Sequence, residues 1–240
     1  FESVYSHGWL DRFFSAIEFE PESFSMQPLR SGLEKGKNLG LVYLPPASYQ
    51  EMMVWAQNAS DVRRFRGLQQ WLQESGGGDD AEQFLRGTFW RNFLTKYPES
   101  NRIHKQGLRL SNLLDQFRGS LHPDIIGVAQ DRLWKSQCNC AYWHGVFGGL
   151  YLPHLRFALY RELIAAQKQL DGLALNGKTH AWESSDWNFD GHAEHLLNTK
   201  HFFIAFTANG ALDQFSLKKT GINLCDTLTR RPEAYHAFIL

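Results

Sequence analysis

The chain has 240 residues with 43% hydrophobic content, enough apolar material to fill a sizeable core and to exclude a largely disordered chain. Its 25 Lys+Arg balance 25 Asp+Glu, so no net field steers DNA, RNA or an anionic membrane surface. No apolar run approaches the ~20 residues of a membrane helix, and neither a nucleic acid nor a membrane is an expected partner. Three cysteines, Cys138, Cys140 and Cys225, are too few for a disulfide framework and favour a reducing, cytoplasmic compartment.

The chain opens at Phe1 with a helix already under way: Trp9, Leu10, Phe13, Phe14 and Ile17 fall at helical spacing, which predicts an amphipathic helix whose supporting strand lies upstream. The last residues, 235–240, stop in an apolar run, so the chain reads as a piece of a longer protein. A polar stretch over residues 18–38 leads to the continuous apolar run 39–44, closed by Pro45-Pro46. That run predicts a buried parallel strand. Ser48 with Glu51 three positions later predicts a capping box opening a helix, and the strand–turn–helix unit places Pro45, Ala47 and Ser48 near any active face.

From residue 61 to 172 the periodicity is mostly helical. Val62, Phe65, Leu68 or Gln69, and Leu72 mark one helix, with Gly76-Gly77-Gly78 and Asp79-Asp80 as the following loop. Leu110, Leu113, Leu114 and Phe117 mark a second, and Leu155, Leu159, Leu163, Ala166 and Leu170 a third, with Pro153 near its start and Gly172 as its stop. Residues 173–185 read as a linker. Beyond them, residues 201–207 and 211–217 around Asn209-Gly210 predict a β-hairpin, so an all-β domain is expected from 186 to 240 with unpaired edges.

Chemistry concentrates in residues 137–156. Trp143 supplies a face for the apolar side of a pyranose, Asn139 and His144 supply hydrogen-bonding groups, and glycines let backbone approach a ligand. The same pattern fits a plain buried helix face made by Trp143, Phe147 and Tyr151 at i, i+4 and i+8. A zinc site from Cys138, Cys140, His144 and His154 has poor spacing, since structural zinc uses wider Cys pairs, and a thiol nucleophile from Cys140 with His144 lacks an orienting third group. Neither a metal nor any other cofactor is expected, and Cys225 reads as a core residue. Among the acids, Asp79, Asp80, Glu18, Glu20 and Glu22 read as solvated, while Glu99 sits among aromatics and reads as a helix-orienting group. The sequon Asn58-Ala59-Ser60 is a chance match.

The run Gln137-Cys-Asn-Cys-Ala-Tyr-Trp-His-Gly-Val-Phe-Gly-Gly-Leu-Tyr-Leu-Pro-His-Leu-Arg156 resembles the last conserved region of the glycoside hydrolase family 57 α-amylases and 4-α-glucanotransferases. Tyr43-Leu-Pro-Pro-Ala-Ser-Tyr-Gln-Glu-Met52, Arg86-Gly-Thr-Phe-Trp-Arg-Asn-Phe93, Lys96-Tyr-Pro-Glu-Ser-Asn101, Phe189-Asp-Gly-His-Ala-Glu194 and Arg230-Arg-Pro-Glu-Ala-Tyr-His236 extend the resemblance over nearly the whole chain. It implies a fold that is α/β plus all-β: residues 1–60 as the end of a seven-stranded α/β barrel, 61–172 as a central helical domain and 186–240 as the first strands of a β-sandwich. It further implies a retaining enzyme acting on α-1,4-glucans or maltooligosaccharides, whose nucleophile Glu and acid/base Asp lie upstream of Phe1; Glu2 is not a catalytic group, and the chain alone is expected to be inactive. Trp143, Cys140, His144 and Asn139 are the expected substrate-binding residues. Cys140 stands where some relatives place an Asp that binds a glucose hydroxyl, a charge-assisted bond that a thiol does not form. The unpaired edges leave homo-oligomers open, and the alternative function is a non-catalytic carbohydrate-binding unit or structural helical domain.

Overall fold

A computed structural model describes residues 2–44, 46–144 and 148–238. Phe1, Pro45, Phe147 and the closing Ile239-Leu240, which entered the expectations above, lie outside the described residues. The chain divides into two compact units, Phe1–Pro45 and Pro46–Leu240.

The first unit holds α1 (Glu2–Tyr5), α2 (Trp9–Phe19) and α3 (Leu29–Lys35). Helix α2 forms where the spacing of its apolar residues predicts it, starting after Gly8, whose left-handed φ of 62° turns the chain into the helix. Trp9 and Phe13 stack on it with ring centroids 5.1 Å apart. The run 39–44 is a correction: it forms no strand, and Leu39 is 94% exposed. A parallel strand needs a hydrogen-bonded neighbour, and the one sheet of the described residues lies entirely between His180 and Asn223.

The second unit begins with α4 (Gln50–Trp55), α5 (Ala59–Glu74), α6 (Gly78–Phe84), α7 (Trp90–Lys96), α8 (Pro98–Phe117), α9 (Pro123–Lys135) and α10 (Pro153–Leu175). The expected capping box does not form, because α4 starts one residue beyond Tyr49 and Ser48 Oγ instead accepts the Trp90 backbone N–H at 2.8 Å. Asp79 and Asp80 are exposed as expected, but in the first turn of α6 rather than in a loop, where carboxylates complement the helix dipole. Helices α8, α9 and α10 each open with proline in the first turn, where the missing N–H costs nothing. Their inner faces meet in one core that includes Ile103, Leu110, Leu114, Leu133, Leu159, Leu163 and Leu170. Helix α9 was not expected, although Ile125, Ala129 and Leu133 keep helical spacing behind Pro123.

Gly172 does not stop α10. The helix runs to Leu175 and ends at Asn176, in the left-handed region at φ 47°, a conformation Asn tolerates. The stretch 173–185 therefore contains the end of α10 and strand β1 (His180–Ser185) rather than a linker. Strands β2 (Glu194–Thr199), β3 (Phe202–Phe206), β4 (Leu212–Leu217) and β5 (Ile222–Asn223) follow in spatial order β1-β2-β3-β4-β5, all antiparallel. The expected hairpin is β3–β4, with Phe203 opposite Ser216. Among the described residues these strands make one sheet rather than two layers, and helix α10 packs against β1, β2 and β5. Residues 230–236, expected within a sandwich, leave the sheet and return to the helices, as the bonds of Glu233 show.

Candidate functional site

The site forms where the stretch between α9 and α10 meets α4, α7 and α8. Between α9 and α10 lie two single 3₁₀ turns, Asn139–Ala141 and Gly149–Tyr151, so the described part of this stretch is not the plain helix face. The Leu150 N–H donates to the Trp143 carbonyl at 2.7 Å and draws the loop together. Gly149 makes this closure fit: at φ 51°, a Cβ on it would lie 2.1 Å from the Trp143 carbonyl oxygen. Tyr142 is anchored beneath by its hydroxyl, which donates to the Ser136 carbonyl at 2.7 Å.

Trp143 thereby stands against α4. Its ring stacks on Trp55 at 4.7 Å and 25°, and meets the edge of Tyr49 at 5.7 Å. With Trp90 and Tyr49 it walls a cavity of about 520 Å³ into which Asn139, Gln137, Ser48 and Ser111 bring amides and hydroxyls. The Trp143 Nε1–H is buried without a hydrogen-bond acceptor. His104 also lines the cavity, edge-on to Trp90 at 5.8 Å, with its Nδ1 buried and unpartnered. Burial, assisted by the neighbouring Lys105 and Arg91 charges, lowers its basicity and favours the neutral ring. Among the described residues, no Asp or Glu lines this cavity.

Behind the aromatic wall is a polar knot. Glu233 reaches in from the returning C-terminal segment and accepts from Lys96 Nζ at 2.7 Å, from His144 Nε2 at 3.1 Å and from the Tyr97 hydroxyl. Lys96 also donates to the last carbonyls around α4, those of Trp55 at 3.1 Å and Gln57 at 2.6 Å. Burial works to raise the Glu233 carboxyl, but the hydrogen bonds from His144, Lys96 and Tyr97 outweigh it and hold the group below the usual carboxylate range. The knot thus ties Glu233, through Lys96, to the helix end that carries Trp55, and so to the ring beneath Trp143.

Of the four expected binding residues, Asn139 and Trp143 line the cavity. Cys140 is exposed beside it, its thiol 3.6 Å from Asn139 Oδ1. His144 is 0% exposed, turned into the knot and stacked on Tyr151 at 5.5 Å, and is not among the residues that line the cavity. The Cys140–His144 contact of the nucleophile reading is absent for the same reason. Among the described residues no group of three or more His, Cys, Asp or Glu side chains is placed to hold a metal ion. Glu99 orients a neighbouring segment, accepting the Thr229 N–H at 2.9 Å. Cys225 is half-buried rather than a core residue.

Sequence reasoning missed His104, although His104, Gly107, Leu108 and Ser111 fall at i, i+3, i+4 and i+7 on a face of α8 that flanks its core residues. Glu233 and Lys96 lay inside quoted motifs but received no role, because a pairing across 137 positions leaves no local pattern.

Residues 88–170 match the model "Alpha-amylase/4-alpha-glucanotransferase, middle domain", and residues 186–240 match "Alpha-amylase/4-alpha-glucanotransferase, C-terminal". An α-amylase of Pyrococcus furiosus is 39% identical over 241 residues, covering 100% of this chain and 34% of that protein. A 4-α-glucanotransferase of Thermococcus kodakarensis is 37% identical, covering 98% of this chain and 34% of that protein. The crystal structure of 4-α-glucanotransferase from Thermococcus litoralis superposes with a TM-score of 0.70 at 37% identity, over 100% of this chain and 35% of that one. The chain therefore spans about a third of the length of the relatives it matches. The cavity-lining Trp90, His104, Asn139 and Trp143 thus fall within the residues that match the middle-domain model, and Glu233 within those that match the C-terminal one.

Proposed function

We propose that the chain is the sugar-holding part of a retaining α-1,4-glucan glycosidase or 4-α-glucanotransferase of glycoside hydrolase family 57, with residues 1–60 belonging to the end of its barrel. The observation that carries this reading is the cavity itself: three aromatic walls with neutral amides and hydroxyls between them. An aromatic face binds the apolar side of a pyranose, and uncharged donors and acceptors suit its hydroxyls. Trp143 is the stacking platform, and the Asn139 amide supplies a polar contact. Cys140 lies at the rim, and His144 acts from behind by holding the loop.

Retaining cleavage requires two carboxylates ~5 Å apart across the scissile bond, and this cavity presents none among its lining residues. The nucleophile and acid/base therefore come from parts of the protein outside this chain, which on its own binds without turning over. Titration of the chain with maltotriose, followed calorimetrically, tests this. Binding by the native chain, weakened roughly fivefold in Trp143→Ala by loss of about 1 kcal/mol of stacking, is expected. Turnover of maltooligosaccharide by the chain alone, or binding indifferent to Trp143, would overturn the reading.

A further inference from the structure

A second cavity, of about 890 Å³, opens on the other flank of α8, and Trp90, His104 and Leu108 line both cavities. Its far wall comes from the β domain: Asn188, Phe189 and Asp190 in the loop before β2, and Asp213 in β4. Three polar atoms on its lining residues are buried without a partner: His104 Nδ1, Arg102 Nε and Asn188 Oδ1.

Phe189 is 64% exposed, and its backbone φ of 60° is a left-handed conformation that a bulky residue seldom adopts. The Lys105 ammonium sits 4.3 Å from its ring centroid and holds the ring at the mouth. An apolar ring kept in water on strained backbone, in a lining that also holds Trp90, is the geometry of a stacking surface.

Charges of both signs line the cavity: Arg91, Arg102 and Lys105 beside Asp190 and Asp213. Arg102 is paired with Asp213 at 2.7 Å, and burial together with the neighbouring Arg91 charge lowers the basicity of Lys105 against the weaker pull of Asp186. An anion would meet Asp190 and Asp213, whereas a polyhydroxyl chain can bond both signs of charge. From Asn101 to Ser111, α8 carries the lining of both cavities along about 15 Å at 1.5 Å per residue, more than one pyranose occupies.

We propose that the second cavity continues the first as a track for further glucose units of the same chain, with Phe189 as its outer stacking residue. This rests on the glucan reading above and adds that affinity rises with chain length because the β domain takes part. Phe189→Ala, an exposed substitution, is compared with the native chain and Trp143→Ala by calorimetric titration with maltotriose and maltoheptaose, alongside thermal melting. The native chain is expected to prefer maltoheptaose. Phe189→Ala is expected to narrow that preference about fivefold, the loss appropriate to one stacking contact, with an unchanged melting temperature. Trp143→Ala instead weakens both sugars. A Phe189→Ala preference equal to the native one, or a native chain that binds both lengths alike, overturns the track while leaving the first site intact. Failure of the native chain to bind either sugar overturns both readings.

Discussion

Glu233 collects three donors in a space from which water is excluded, and this makes it the residue whose loss should propagate furthest. Its carboxyl is held below its usual range by the hydrogen bonds from His144, Lys96 and Tyr97 despite the opposing burial, so the unfolded chain binds the proton more readily than the folded one. That contribution is present above the unfolded carboxylate value, about 4.3 for Glu, and is lost as pH falls through the lower folded value. Glu233→Gln is therefore expected to destabilise the chain by about 3 kcal/mol near neutrality, because it leaves buried Lys96 without its counter-charge. The gap from the native protein should shrink as the pH drops from about 5 to 3; urea midpoints measured across that range check it, and a constant gap would refute the assignment. The signal for this residue was absent from the sequence because no local rule joins position 233 to positions 96 and 144. Trp143 was legible as a sugar-binding candidate, but its partner Trp55, on the other side of the loop, was not.

At the scale of elements, what was legible followed period. The α8 and α10 stripes repeat at three and four residues and their helices form; the alternation flanking Asn209-Gly210 gives β3 and β4. The misreadings came where composition stood in for period. An apolar run such as 39–44 announces that something covers it, without naming what, and an interior glycine such as Gly172 announces a stop only if the helix has no packing beyond it. Leu175, still buried, shows that α10 has such packing. Gly172 is exposed, helical, and has open space where a Cβ would go. Gly172→Ala should stabilise the chain by about 0.5–1 kcal/mol, since alanine loses less backbone entropy in a helix. A thermal melt reads the gain, and a loss would show that Gly172 serves as the helix stop after all.

For the whole second unit, the decisive feature is how helices and sheet are joined. The seam is not an apolar layer. Lys218 Nζ, from the end of β4, donates to Asp171 on α10 at 2.6 Å and to Asn198 on β2 at 2.7 Å; Gln214 on β4 donates to Gln106 on α8 at 3.0 Å; and Arg109 on α8 bonds Glu183 on β1 at 2.9 Å. Lys218→Met would strand Asp171 and should cost about 3–5 kcal/mol, read as a fall in urea midpoint; a change within experimental scatter would show that the seam does not hold the sheet. Such a seam has a thermodynamic signature. Parting the sheet from the helices would break directional bonds while baring little oil-like area, so the opening would carry a small heat-capacity increment and a shallow denaturant slope. The β domain, and with it Phe189, can then lift away in a partial excursion that bulk melting scarcely registers, while amide exchange in β1 and β2 reports it directly.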